Sequence, residues 1–180
     1  LFYWINQHFQ SRMMDKFMLF VSTKENFYLP GLICLVALLG TYKYRGLACL
    51  IALGITIGLT DSIGHHILKE GIQRLRPCHV LPQDIIGITS SLNYPICSNS
   101  FSFPSNHAAN TFAAATLLSL CFRNTALIFM VFVFALIVCY SRVYLGVHYP
   151  SDVLGGMILG SAMGFLGYQI YSRIIKYIKP

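Results

Sequence analysis

Charge is what this sequence has least of. Thirteen of its 180 residues are Lys or Arg and six are Asp or Glu, so 11% are charged while 56% are hydrophobic. An average soluble domain carries roughly 25% charged residues. A soluble fold of this length has more surface than so few charges can cover. Intrinsic disorder is excluded as well, since it needs low hydrophobicity and high charge. Carboxylates are the scarcer sign, and none of the six stand in a cluster of the kind that holds a metal. The formal net charge is +7, but the cations form no run, stripe or aromatic-interleaved platform, which argues against a nucleic-acid partner.

What remains is an integral membrane protein of one domain. Uncharged runs cover Asn26–Tyr42, Gly46–Thr60, Asn124–Ser141 and Val153–Ser172, and a longer run, Ile85–Phe122, ends in an apolar stretch from Ala108. A spanning helix needs about 20 apolar residues, within a range near 17–25. The pattern predicts an all-α bundle of five spanning helices, roughly 27–42, 47–68, 108–122, 125–140 and 152–174, filling 26–180. In Leu1–Phe20 the apolar residues Phe2, Ile5, Phe9, Met13, Phe17 and Phe20 recur at steps of three and four. That spacing predicts an amphipathic helix, within 1–25, lying at the membrane interface with Trp4 and Tyr3 at headgroup depth. It lacks the small-residue cleavage site of a signal peptide. The chain begins at Leu rather than Met, which points to residues upstream.

The links at Lys43–Arg45 and Arg123–Asn124 are short enough to make antiparallel hairpins. Lys43, Arg45, Arg123, Arg173, Lys176 and Lys179 then share one face, which the positive-inside rule makes cytoplasmic. The long Pro77–Ser105 segment and the short Ser141–Ser151 segment share the other face. Cys34, Cys49, Cys121 and Cys139 sit in apolar helices and read as small hydrophobes. Cys78 and Cys97 are the candidate disulfide, closing a loop of about 20 residues worth roughly 3 kcal/mol in the chain-entropy model. No Cys/His spacing matches a zinc site. Gly156, Gly160 and Gly164, and likewise Gly54 and Gly58, recur every four residues, a signal for close helix approach.

Three polar clusters border the outer face. Lys69 and Arg76-Pro77 stand seven apart, about two helical turns, and Asp61, His65, Lys69 and Gln73 continue one stripe. Alone, such a pair also reads as cations snorkelling at a helix end. Pro104-Ser105-Asn106-His107 opens a helix, with Pro favoured at the first helical position. The N–H groups of Ser105, Asn106 and His107 then lack intrahelical partners and form an anion site. Ser141-Arg142 precedes His148 and Asp152, the latter in the first turn of a helix beginning at Pro150. A carboxylate on one imidazole nitrogen fixes the tautomer and leaves the other nitrogen as a nucleophile. Together these cations, histidines and helix N-termini suit a phosphate group. Asp61 and His65, four apart, read as a structural pair, and His66 has no assigned role.

In this order and with these internal spacings, the clusters resemble the three signature motifs, KxxxxxxRP, PSGH and SRxxxxxHxxxD, of the type 2 phosphatidic acid phosphatase superfamily. The resemblance covers Asn26 to the C-terminus. It implies that His148 is a nucleophile forming a phosphohistidine, that Asp152 orients it, and that His107 protonates the leaving oxygen and then activates water. It further implies that Lys69, Arg76, Arg142, Ser105 and the Asn106 amide bind the phosphate, with no metal and no cofactor. Asn106 departs from the usual Gly, which puts that amide contact in question. The implied substrate is a lipid phosphate in the bilayer. The SFPSNHA stretch leans to a lipid A 1-phosphatase, with undecaprenyl diphosphate and phosphatidylglycerophosphate as alternatives. A bacterial inner membrane with the site on the periplasmic face follows. A vanadate haloperoxidase or soluble acid phosphatase conflicts with the spanning helices. A transporter lined by Asp61, His65 and Lys69 is the remote reading.

Overall fold

The computed structural model describes residues 1–8, 10–81 and 97–178, and all regular structure among these is helical. Phe9, the middle of the long segment (82–96) and Lys179 lie outside the described residues. Three helical stretches are long and apolar enough to cross a membrane: Lys24–Val80, Thr125–Tyr144 and Pro150–Ile178.

The N-terminal segment is two helices rather than the single one expected: α1 (Phe2–His8) and α2 (Arg12–Ser22). Ser11 breaks the pattern by capping α2, its hydroxyl accepting from the Met14 N–H at 3.2 Å. The pair also does more than lie at an interface. Phe2, Met18 and Asn6 are buried, and the Asn6 amide donates to the Tyr144 carbonyl at 2.8 Å. The Tyr144 hydroxyl in turn donates to Asp15 at 2.6 Å. Tyr3, Trp4, Met13, Phe17 and Phe20 remain exposed, as a bilayer-facing edge requires.

After a 3₁₀ turn, α3 (Tyr28–Ser62) is interrupted at Lys43, whose φ of 47° and ψ of −122° are non-helical. The chain folds back there, because a Cβ on Gly46 would stand 2.6 Å from the Leu38 carbonyl oxygen, a distance impossible across a straight helix. The hairpin expected at Lys43–Arg45 is therefore the bend inside α3. Beyond Ser62 the chain continues as a π-helix, Ile63–Lys69, and ends with the turn Glu70–Ile72. A short α4 (Pro77–Val80) precedes α5 (Asn106–Phe122), α6 (Thr125–Tyr144) and α7 (Pro150–Ile178). α5 has 17 residues, at the short end of what can span.

α5 is the centre of the bundle, and small residues explain why. A Cβ on Gly156, Gly160 or Gly164 of α7 would lie 2.5, 2.2 or 2.6 Å from the carbonyl oxygens of Ser105, Ala109 and Ala113 on α5. With hydrocarbon on both sides, packing rather than hydrophobicity drives association, and small residues let backbones approach. The stripe thus joins the His107 helix to the Asp152 helix. Gly54 and Gly58 do not repeat the device, since a Cβ on either meets nothing within 4 Å. On that arm Thr56 packs inward instead, its Oγ1 2.1 Å from where a Cβ on Gly167 would stand.

The two ends of the bundle differ. At one, Arg45 donates to the Cys121 carbonyl at 3.3 Å and also bonds Tyr171, so Lys43, Arg45, Arg123 and the basic end of α7 share it. At the other end lie all three polar clusters.

Candidate active site

The first cluster reaches the site by a different backbone from the one expected. Lys69 and Arg76 are not two turns apart on one helix. The π-turns shift the register, Gln73 adopts a left-handed conformation (φ 51°, ψ 34°) that ends the helix, and Arg76 is extended (φ −74°, ψ 152°). Pro77 accounts for the last, since it disfavours a helical conformation in the preceding residue. Both side chains are nevertheless buried, Lys69 at 3% exposure and Arg76 at 5%.

Their partners come from Ser100 and Phe101 and, for Arg76, also from Val147 and His148. Lys69 Nζ donates to the Phe101 carbonyl at 2.9 Å. Arg76 donates through Nε to the Ser100 carbonyl at 2.7 Å and through Nη2 to the Ser100 hydroxyl at 2.9 Å. Its Nη1 faces the Val147 carbonyl at 3.3 Å and His148 Nε2 at 3.2 Å. A guanidinium only donates, so Nε2 is the lone-pair nitrogen of His148 and the ring proton sits on Nδ1.

On the Nδ1 side stands a relay that includes an unexpected residue. His148 Nδ1 is 3.7 Å from Asp152 Oδ2, beyond a direct hydrogen bond. Ser102 bridges the gap, its Oγ donating to Asp152 Oδ2 at 2.5 Å and lying 3.4 Å from His148 Nδ1. Asp152 Oδ2 also accepts from the Tyr149 N–H at 2.8 Å. Its Oδ1 accepts from Arg74 at 2.8 Å, and Arg74 also donates to Ser151 and lies 4.1 Å over the Tyr149 ring. Burial pushes His148 down to about 3, with Arg142 and Arg76 adding to the effect and Asp152 opposing it. The imidazole is therefore neutral, with its free nitrogen aimed at Arg76.

The second cluster is also adjusted. The Phe103–Pro104 peptide is cis, α5 begins at Asn106, and Ser105 is its N-cap. The Ser105 N–H is not open to an anion, because it donates to the Asp152 carbonyl at 3.0 Å. The Ser105 hydroxyl is buried and without a partner among the described residues. His107 lines a cavity of about 380 Å³ together with Ser22, Lys24, Asp61 and Asn106. Ser22, from α2, receives the Arg142 guanidinium. The expected Asp61–His65 pair is absent: Asp61 Oδ1 accepts from Asn106 Nδ2 at 2.9 Å and Asn110 Nδ2 at 3.0 Å. The π-helix spanning Ile63–Lys69 removes the four-residue alignment that the pairing assumed.

Cys78 and Cys97 are joined by a disulfide, with Cα atoms 6.2 Å apart. It ties α4 to the segment that supplies Ser100 and Ser102. His79 lies beside it, giving a Cys/His group that spacing alone did not reveal, although both sulfurs are held in the bond.

Sequence reasoning missed Ser22, Arg74, Ser100 and Ser102. Arg74 lies inside the Lys69–Arg76 cluster and carried a signal that went unused. A serine in a serine-rich segment carried none.

Lys69, Arg76 and Arg142 are all under 8% exposed, and the one buried carboxylate among the described residues, Asp152, is already paired with Arg74. Residues 45–176 match the PAP2 superfamily. The chain belongs to that superfamily. It is 33% identical over 141 residues to a lipid A 4′-phosphatase of Bacteroides thetaiotaomicron, spanning 78% of this chain and 62% of the relative, under two thirds of its length. It is 34% identical over 166 residues to phosphatidylglycerophosphatase B of Bacillus subtilis, covering 85% of this chain and 72% of that one. The crystal structure of Aquifex aeolicus LpxE superposes with a TM-score of 0.70 at 26% identity, covering 93% of this chain and 92% of that one. A helical membrane protein of the PAP2 superfamily is thus the coarse description of the chain.

Proposed function

We propose that this PAP2 protein removes a phosphate monoester from an amphiphile whose tails stay in the bilayer, through a phosphohistidine on His148. The observation that carries the reading is the buried cation excess around a neutral histidine. Lys69, Arg76 and Arg142 are out of water with one already-paired carboxylate nearby. Buried charge without a counter-ion is strongly unfavourable, so an anion of two or more negative charges is the natural occupant.

In this reading the phosphate enters at His148 Nε2 and takes over the Arg76 guanidinium, which in its absence stands 3.2 Å from that nitrogen. Nε2 attacks phosphorus, and the bond to the leaving oxygen breaks. His107, charged beside the bound phosphate dianion, gives that oxygen its proton. A water then attacks the phosphohistidine, gives its proton to His107, and releases inorganic phosphate. Ser102 and Asp152 hold the Nδ1 proton as positive charge develops on the ring. Lys69, Arg76 and Arg142 neutralise the phosphoryl oxygens, which removes the need for a metal. With the Ser105 N–H taken by Asp152, the amides left to the phosphate at the start of α5 are those of Asn106 and His107.

Among lipid phosphates, the lipid A 4′-phosphate is favoured over the 1-phosphate that the SFPSNHA stretch indicated, because the Bacteroides relative carries the 4′ name. The positive-inside distribution supports a site on the outer face of a bacterial inner membrane. The test is phosphate release by purified protein from lipid A, phosphatidylglycerophosphate and undecaprenyl diphosphate, with His148→Ala as the control. Turnover should vanish in the variant, persist in chelator and fall with orthovanadate. Normal release by His148→Ala, or a strict Mg²⁺ requirement, overturns the mechanism.

A further inference from the structure

Asp61 lies outside the three motifs, yet the fold holds it beside the site with unusual care. It sits on the last turn of α3, exposed, and both side-chain amides that fix it come from the first turns of α5. One belongs to Asn106, the residue directly before His107. The superfamily's usual Gly at that position has no side chain and could not make the bond. Gly64 completes the fit, since a Cβ there would lie 3.2 Å from the Asn106 side-chain Oδ1. The departure at position 106 therefore has a structural consequence: it fixes a carboxylate on the wall of the cavity that His107 also lines.

Two cavities meet at that carboxylate. One, of about 380 Å³, contains His107 and Lys24; the other, of about 420 Å³, contains His65 and His66. Among the described residues Asp61 is the one acid lining either of them. Both amides bond to Oδ1, so Oδ2 is without a hydrogen-bond partner among the described residues. Across the first cavity Lys24 faces Asp61, and Arg142 reaches the wall at Ser22, so Asp61 is the negative charge in an otherwise cationic lining. The wall also includes Phe27 and Phe134, whose rings are 5.1 Å apart, an apolar surface against which a sugar ring can lie.

We propose that Asp61, fixed by Asn106 and Asn110, is the residue that selects the leaving group. Its open oxygen accepts a hydrogen bond from a hydroxyl or amine on a sugar-linked leaving group. The same fixed negative charge disfavours a leaving group that is itself a phosphate, as released from a prenyl diphosphate. Specificity of this kind combines one attractive contact with one repulsive one. The inference rests on the phosphatase reading above and deepens it.

The experiment compares kcat/KM for phosphate release from a glucosamine-phosphate lipid and from undecaprenyl diphosphate, using the full chain in detergent. Hydrogen bonds to charged groups are worth about 1.5–3 kcal/mol, so Asp61→Asn should move the ratio roughly 10- to 100-fold toward the diphosphate, with the loss on the sugar substrate mainly in KM. Asp61→Glu, which keeps the charge but displaces it, should lose sugar-phosphate turnover while still rejecting the diphosphate. Equal loss on both substrates in the two variants would mean that Asp61 merely supports Asn106, and an unmoved ratio in an active enzyme would remove its role altogether. Wild-type protein that releases phosphate from neither substrate overturns the phosphatase reading itself, and this inference with it.

Discussion

Gly160→Ala is the substitution that most directly tests how the fold builds the site. The added methyl would stand 2.2 Å from the Ala109 carbonyl oxygen, 2.9 Å from its carbonyl carbon and 3.0 Å from its Cα. All three are backbone atoms of α5, so no side chain can swing aside. Ordinary contact begins near 3.4 Å, so α5 and α7 must part by about 1 Å. Overpacking of this kind costs about 1–3 kcal/mol. Asp152 lies two turns up α7 and His107 half a turn up α5, so the displacement passes straight to the pair of elements that carry the chemistry. A misplacement of about 1 Å can cost on the order of 10²-fold in rate. The assay is phosphate release together with thermal unfolding in detergent, with Gly54→Ala alongside. That control meets nothing within 4 Å and replaces a poor helix former with the best one, so it should be neutral or stabilising by up to about 1 kcal/mol. A Gly160→Ala protein as stable and active as wild type would refute the claim that close α5–α7 contact sets the site.

Three further outcomes follow from the geometry. Ser102→Ala removes the bridge between His148 Nδ1 and Asp152, and should lower kcat roughly 10- to 100-fold with little change in KM, by analogy with other partners that orient a reactive histidine; steady-state kinetics separates the two. His148 is held near 3 in the folded protein against about 6.5 in an unfolded chain, so the unfolded state binds more protons between those values. Stability should therefore fall as pH drops from about 6.5 toward 3, and a pH series of melting temperatures should be shallower in that window for His148→Asn than for wild type. Replacing both Cys78 and Cys97 by Ser should cost about 3 kcal/mol of stability and lower activity, because Ser100 and Ser102 lose their tether; melting curves of oxidised wild type and the double variant measure it.

The sequence by itself determined the class of protein, the ends of most helices and the identity of the motif residues. Hydropathy runs are a local property, and so are Pro77, Pro104 and Pro150, which constrain the backbone whatever surrounds them. The glycine period along α7 was equally legible, because a stripe without side chains is visible in one dimension. Its partner was not, and identical spacing at Gly54 and Gly58 faces open space. Whether a small residue is a contact depends on what lies opposite.

The same limit explains the site. His148 and Asp152 were found from spacing, but Ser102, which connects them, comes from a segment nearly fifty positions away and packs there because Lys69, Arg76 and the disulfide hold residues 97–102 in place. Arg74 was visible as a charge, yet only folding gave it Asp152 and Tyr149 as partners. Asp61 was matched with His65 on the assumption of an α-helix, and a π-helix of seven residues was enough to give it Asn106 and Asn110 instead. Local chemistry decides which residues carry charge and where a helix stops. Which charge meets which partner depends on distances between elements far apart in the chain, and those exist only once the bundle has closed.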